Sequence, residues 1–277
     1  MYDANDCITN KKSSGTCFSD KSLQLISNVL KKQGYVIHDK RKLYPQIKKI
    51  LKEISTCKDE KCWLSINLLV QHLSKKDIKL LKSNFKPDMP ESWKKDKETW
   101  LTTVDIDNVL NRYMDNDNKC FTYGALPIDS FDKDICVNDL CNFDLKTHID
   151  NGIEKICIVY NTDEYGESGQ HWICVYIDIS KNNLDVPCIY FFDSYGDKPP
   201  QRVNEFANNV MKQGDQLNIP FQYTYNDKQH QSSGGECGVY CLHFITYMLG
   251  GGNFKHYVDK KKEETYMNKF RSYFYDV

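Results

Sequence analysis

No stretch of this chain approaches the roughly 18 consecutive apolar residues that a membrane-spanning helix needs. Its first residues, MYDANDCITNKKSSGTC, hold no apolar core of the kind that marks a secretory leader. Neither a membrane span nor secretion is expected. Internal repeats and low-complexity tracts are also missing, which leaves an ordinary globular chain. Metal-type ligand clusters are scarce: Cys57/Cys62 and Cys136/Cys141 are five apart and no paired histidines accompany them, so no metal is expected. The twelve cysteines are spread over 277 residues, a chain too long to need a disulfide scaffold. Because Cys157, Cys174 and Cys188 sit inside apolar strand-like runs, reduced thiols in a reducing, cytosol-like compartment are the expectation.

What is present suffices for a real core, with 40% hydrophobic and 13% aromatic residues. The net charge of −1 hides two unlike parts. Residues 1–100 carry 21 Lys and Arg against 12 Asp and Glu (+9), and the other 177 carry 16 against 26 (−10). A basic first third suits contact with nucleic acid; the plainer reading is a set of solvated lysines on helix faces.

Apolar spacing predicts amphipathic helices through Leu23, Ile26, Val29 and Leu30, after an N-cap at Asp20, and through Leu43, Ile47, Ile50, Leu51 and Ile54. Ser74 and Asp77 resemble a capping box opening another helix. Pro87 and Pro90, among polar residues 84–93, read as a linker. The boundary near 95 separates a basic helical domain, 1–95, from a second domain, 96–277. That second part predicts a helix at about 104–114, strands at 155–160, 171–178, 188–193 and 221–225, and a helix opened by Pro199 and Pro200. The fold class expected is α+β, a central mixed sheet packed on a buried helix, with an added N-terminal helical domain. That buried helix is 237–249, apolar nearly all round and stopped by Gly250, Gly251 and Gly252.

The chemistry concentrates at the start of that helix. The run QSSGGECGVYCLHFITYML delivers Cys237 from a Gly/Ser-rich turn to a helix N-terminus, where free N–H groups and the dipole favour thiolate. Gly234 and Gly235 permit the tight turn, and Gly238 removes bulk beside the sulfur. A thiolate nucleophile needs a base, and the base a group to hold its tautomer. Among seven histidines, His38, His72, His148 and His256 read as surface residues and His243 as a core histidine. His230 borders the turn. His171, at the rim of a strand after the turn YGESGQ, is the better candidate base. Asp193 closes the strand IYFFD and is either a turn initiator or the group that orients His171. Gln231, six residues before Cys237, offers N–H donors that could join the Cys237 backbone N–H in an oxyanion hole.

The order His171-Trp172, Asp193-Ser194, Gln231, then Glu236-Cys237-Gly238 resembles the signature of the adenovirus-protease and ubiquitin-like-protease (Ulp1-type) superfamily of cysteine peptidases. In papain-like enzymes the cysteine comes first. The size, the helical first third and the stretches NTDEYGESGQHWICVYID and IYFFDSYGDKPP resemble the African swine fever virus-type polyprotein-processing proteases of nucleocytoplasmic large DNA viruses. The chain departs from that group in carrying Asp193, the acid of the SUMO-specific proteases, where the swine fever enzyme has an amide. The resemblance implies a cysteine protease with Cys237, His171, Asp193 and Gln231 as catalytic residues, Trp172 lining a narrow substrate channel, and no cofactor. It implies cleavage of capsid or core precursors after Gly-Gly-type sites during virion maturation, in the host cytoplasm and the virion. Two alternatives remain: an isopeptidase acting on a ubiquitin-like protein, and a virion scaffold or nucleic-acid-binding module with a protease-like fold.

Overall fold

The apolar periodicity of the first third becomes four helices: α1 Asp20–Lys32, α2 Leu43–Ile54, α3 Asn67–His72 and α4 Lys75–Lys82. The computed structural model describes residues 7–8, 15–39, 42–96, 99–180, 186–232 and 234–276. Ser19, not Asp20, caps α1: its hydroxyl accepts from the Ser22 N–H at 3.1 Å, and Asp20 lies within the first turn. The capping box of Ser74 and Asp77 on α4 is present as expected. Phe18 stacks on Trp63 at 5.6 Å and meets Phe85 edge-on at 5.1 Å, at the centre of a core drawn from α1, α2, α3 and α4.

This first body comprises Met1–Asp88 and Ser272–Val277; the second is Met89–Arg271. The division thus falls at 88/89 where the sequence suggests 95, and the last six residues count with the first body. Within it, the Asp276 N–H donates to the Pro87 carbonyl at 2.8 Å and Lys86 Nζ to the Ser272 carbonyl at 2.8 Å. The stretch read as a linker buries Asn84, Phe85, Lys86 and Trp93; its prolines interrupt helix without forcing exposure.

In the second body α5, Thr103–Asn116, precedes a five-stranded sheet: β1 Cys120–Pro127, β2 Lys155–Asn161, β3 Trp172–Asp178, β4 Cys188–Phe192 and β5 Gln222–Tyr225. The spatial order is β1-β2-β3-β4-β5, with β1/β2 and β4/β5 parallel and the two central pairings antiparallel. Helices α6, Leu145–Asp150, and α7, Gln201–Gln216, are followed after β5 by α8 Cys237–Leu249, α9 Phe254–Asp259 and α10 Glu264–Phe274. The expected α+β class holds. Ile173, Val175, Ile177, Ile189 and Phe191 share a core with Val203, Phe206 and Val210 of α7. On the opposite face Phe192 stacks on Phe244 of α8 at 4.8 Å. Covered on both sides, β3 is buried throughout, which is why it reads as an unbroken apolar run.

Two expectations fail here. Disulfides join Cys7 to Cys17, Cys57 to Cys62 and Cys136 to Cys141, leaving six free cysteines rather than twelve. Pairs five apart close because local turns bring their Cα atoms to 5.5 and 4.9 Å, within disulfide reach. His148 is buried, not on the surface: its Nε2 and the Tyr123 hydroxyl are 2.9 Å apart. Strand β1 was hidden from sequence by Gly124 and Pro127, residues that argue against a strand. Gly124 has a φ of +86°, coincides with a break in the β1/β2 register, and an added Cβ would lie 2.6 Å from Asp107 Oδ1. Substitution Gly124→Ala should therefore destabilise the second body by about 2–3 kcal/mol; an unchanged urea-unfolding midpoint would refute this.

Candidate active site

Strand geometry supplies the base and its partner. His171 precedes β3 and Asp193 follows β4, at neighbouring ends of an antiparallel pair in which Cys174 opposes Phe192. Carried past the strand ends, that register sets His171 against Tyr195 and makes Asp193 its diagonal neighbour. His171 Nε2 lies 2.8 Å from Asp193 Oδ1, and the imidazole stacks on Tyr195 at 4.6 Å. Cys237 acts on the same ring as a second negative charge partner. Burial works against the imidazolium, but Asp193 and Cys237 outweigh it and raise the His171 pKa to about 9.

Asp193 is itself held in place. Asn226 Oδ1 accepts from the Asp193 N–H at 2.8 Å, and Asn226 Nδ2 donates to the Asp193 carbonyl at 2.7 Å. The Tyr195 N–H donates to Asp193 Oδ1 at 2.8 Å. Neither Asn226 nor Tyr195 stood out in the sequence, since a lone Asn in a loop carries no signal until the fold is known.

Cys237 opens α8 as its first residue, after a turn in which Gly234 has a φ of +79°; Ser233 lies outside the described residues. Gln231 is fully buried, with Nε2 donating to the Gly234 carbonyl at 2.9 Å. Its amide thus points its N–H end into the nucleophile turn. Glu236, the residue before Cys237, forms a buried two-pronged ion pair with Arg271, at 3.0 and 2.9 Å. Gly238 is needed for space: a Cβ there would lie 3.1 Å from the Leu101 side chain and 3.3 Å from Trp172 Cδ1.

Trp172 Nε1 donates to the Leu101 carbonyl at 2.9 Å. Both residues line a cleft of 380 Å³ together with Trp100, Asn161 and Glu167. Trp100, missed in the sequence, stays nearly half exposed at 46%; an apolar-looking WL pair just before the Thr102–Asp105 capping box was its available signal. The rival histidines are placed elsewhere. His243 pairs with the Tyr257 hydroxyl at 2.7 Å inside the core, and His230 is buried beside Lys262. Cys136, Asp139 and Cys141 bring ligand atoms within 4.8 Å, but the two sulfurs are already joined to each other.

A thiol at a helix N-terminus, an imidazole paired with a carboxylate and charged under the influence of both, and an amide beside the same turn define the class: a cysteine protease. Residues 153–276 match the Ulp1 protease family, C-terminal catalytic domain. Over those residues the chain is similar to the Ulp1-type cysteine proteases. It is 30% identical over 180 residues to a thiol protease of Acanthamoeba polyphaga mimivirus, an alignment covering 64% of this chain and 56% of that protein. The SUMO-1 cysteine protease of African swine fever virus is 24% identical over 284 residues, covering 98% of this chain and 93% of the relative. The crystal structure of the African swine fever virus protease shares the fold, with a TM-score of 0.67 at 20% identity over 100% of this chain and 97% of the other.

Because the His171 pKa lies above the ordinary 6.5, its charged ring adds stability that is complete below about pH 6.5 and is lost as pH rises through about 9. NMR titration should place the His171 ring near pH 9, and Asp193→Asn should move it down. Identical titrations in the two proteins would remove Asp193 as the cause.

Proposed function

We propose that the protein is a cysteine endopeptidase that cleaves structural polyprotein precursors of a large DNA virus after Gly-Gly-type sites during virion maturation. Cys237 Sγ attacks the scissile carbonyl carbon, and the carbonyl oxygen takes the displaced electron pair. The Cys237 backbone N–H and the Gln231 amide stabilise that oxyanion. His171, oriented by Asp193, passes its proton to the leaving amine nitrogen as the C–N bond breaks. A water molecule then gives a proton to His171 and its oxygen to the acyl carbon, the C–S bond breaks, and the thiolate returns. The observation carrying this reading is the His171 ring, hydrogen-bonded to Asp193 at 2.8 Å and held charged by Asp193 and Cys237 together.

The start of α8 is tightly packed at Gly238. Leu101 and Trp172 leave no space there for even one methyl group without moving, and the cleft beside them is flanked by Trp100. The viral relatives support a precursor as substrate, while the name of the swine fever relative supports a ubiquitin-like protein; both would present an extended Gly-Gly segment. The basic first hundred residues support an auxiliary nucleic-acid contact. On this reading the enzyme acts in the cytoplasmic viral factory and in the virion.

Co-expression with candidate capsid and core precursors, read by mass spectrometry of new termini, tests the proposal. Wild type should generate termini after Gly-Gly, and Cys237→Ala should generate none. New termini after leucine or phenylalanine as often as after Gly-Gly would sink the specificity. Capture of a ubiquitin-like protein bearing a C-terminal electrophile, with precursors left whole, would favour the isopeptidase.

A further inference from the structure

One buried hydroxyl joins the two halves of this site. Ser194 follows Asp193 directly and is fully buried. Its Oγ donates to Gln231 Oε1 at 2.7 Å, and its carbonyl accepts the N–H groups of both His230 and Gln231 at 2.8 Å. Gln231 Nε2 donates to the Gly234 carbonyl. A backbone carbonyl can only accept, so this contact decides which end of the amide is nitrogen, and the Ser194 hydroxyl, able to donate or accept, must then donate to the oxygen. The backbone of Asp193 is fixed on both its N–H and its carbonyl by Asn226. The position of Ser194 is therefore set by the same clamp that aims the carboxylate at His171.

We propose that Ser194 is a positioning residue for the oxyanion hole, its hydroxyl holding the Gln231 amide with the N–H end toward the turn that delivers Cys237. Two successive residues thus serve two different parts of the site: the Asp193 side chain orients the base, and the Ser194 side chain orients the amide. Without the hydroxyl, the buried Gln231 oxygen loses the Ser194 donor, and turning the amide or admitting water becomes less costly. The hole would then have to be organised during the reaction instead of before it, a cost that falls on the transition state.

This rests on the proposed role of Gln231, and the test separates the two. Steady-state cleavage of a fluorogenic peptide ending in Gly-Gly is measured for wild type and for Ser194→Ala, Gln231→Ala, the double variant and Cys237→Ala. Affinity for a Gly-Gly peptide aldehyde, whose hemithioacetal oxygen occupies the hole, is measured in parallel. Ser194→Ala is expected to lower kcat about tenfold, the scale of one buried hydrogen bond, with KM within twofold and the alkaline limb unmoved. Gln231→Ala is expected to lower kcat about a hundredfold, and the double variant no further. Ser194→Cys, which keeps a weak donor of similar size, should recover part of the loss. A Ser194→Ala loss that persists undiminished in the Gln231→Ala background, or that appears in KM or the alkaline limb, overturns the positioning role and leaves Gln231 in place. If Gln231→Ala retains full kcat and aldehyde affinity while Cys237→Ala is dead, the amide is not in the hole and the proposal falls with it. Turnover by Cys237→Ala overturns the cysteine mechanism and this inference together.

Discussion

Because α8 is apolar on nearly every side, it is stable only where sheet and helices surround it, and that requirement decides where Cys237 must stand. Burying Val239, Leu242, Phe244 and Ile245, all with no exposed surface, is worth about 1.5–3 kcal/mol for each side chain. A missing side-chain N-cap costs about 1 kcal/mol, so the helix tolerates having none at its start. The consequence is chemical. Packing against β3 and β4 places the uncapped N-terminus at the sheet end where His171 and Asp193 emerge. The sheet's register then sets the two residues side by side, and the Asn226 clamp on the Asp193 backbone completes their contact. The site is a by-product of two packing rules, one for a buried helix and one for an antiparallel pair.

Three histidines, His230 and His243 buried and His171 half-buried, show how environment assigns roles to the same ring. Burial disfavours charge on all three. His171 meets Asp193 and Cys237, which reverse the effect and lift its pKa to about 9. His230 is pushed down to about 4, by burial first and by Lys262 next. His243 falls to about 3 by burial, with Lys262 and His230 adding to it. Lys262 is itself lowered to about 8, mainly by burial. The carboxylate, not the exposure, separates the proton carrier from the core residues.

Those distinctions explain what could be read from the chain beforehand. The apolar periods of α1, α2 and α8, the capping box of α4 and the β-branched runs of β2, β3 and β4 are local signals, and local signals survive without coordinates. His171, Asp193 and Cys237 could be picked out as candidates because each sits beside an element end that is itself legible. What stayed hidden depends on contacts far apart in sequence: Asn226 across 33 positions from Asp193, Leu101 across 71 from Trp172, and His148, drawn inside by Tyr123. Strand β1 was masked by its own glycine. The disulfides were hidden because a spacing of five fits a metal knuckle, a surface pair or a bridge equally well. Only the turn geometry distinguishes them.

The ion pair of Glu236 and Arg271 bears on how this site keeps its shape. A buried pair of this kind adds little net stability, since desolvation offsets attraction, yet losing one partner costs roughly 3–5 kcal/mol. Its value is therefore geometric. Arg271 also donates Nη1 to the Thr99 carbonyl at 2.8 Å and lies over the Trp93 ring at 4.4 Å. Thr99 immediately precedes Trp100 and Leu101 of the cleft, and Glu236 immediately precedes Cys237. One guanidinium, planar and with donors in fixed directions, thus holds the nucleophile's helix start and the cleft's indole-bearing segment at a set distance. A lysine would keep the charge and lose two of the three contacts' directions. Glu236 occupies the position where a side chain ordinarily caps a helix, and commits its carboxylate to Arg271. The same choice that ties the cleft to the nucleophile leaves the first N–H groups of α8 without a side-chain cap, where an oxyanion would need them.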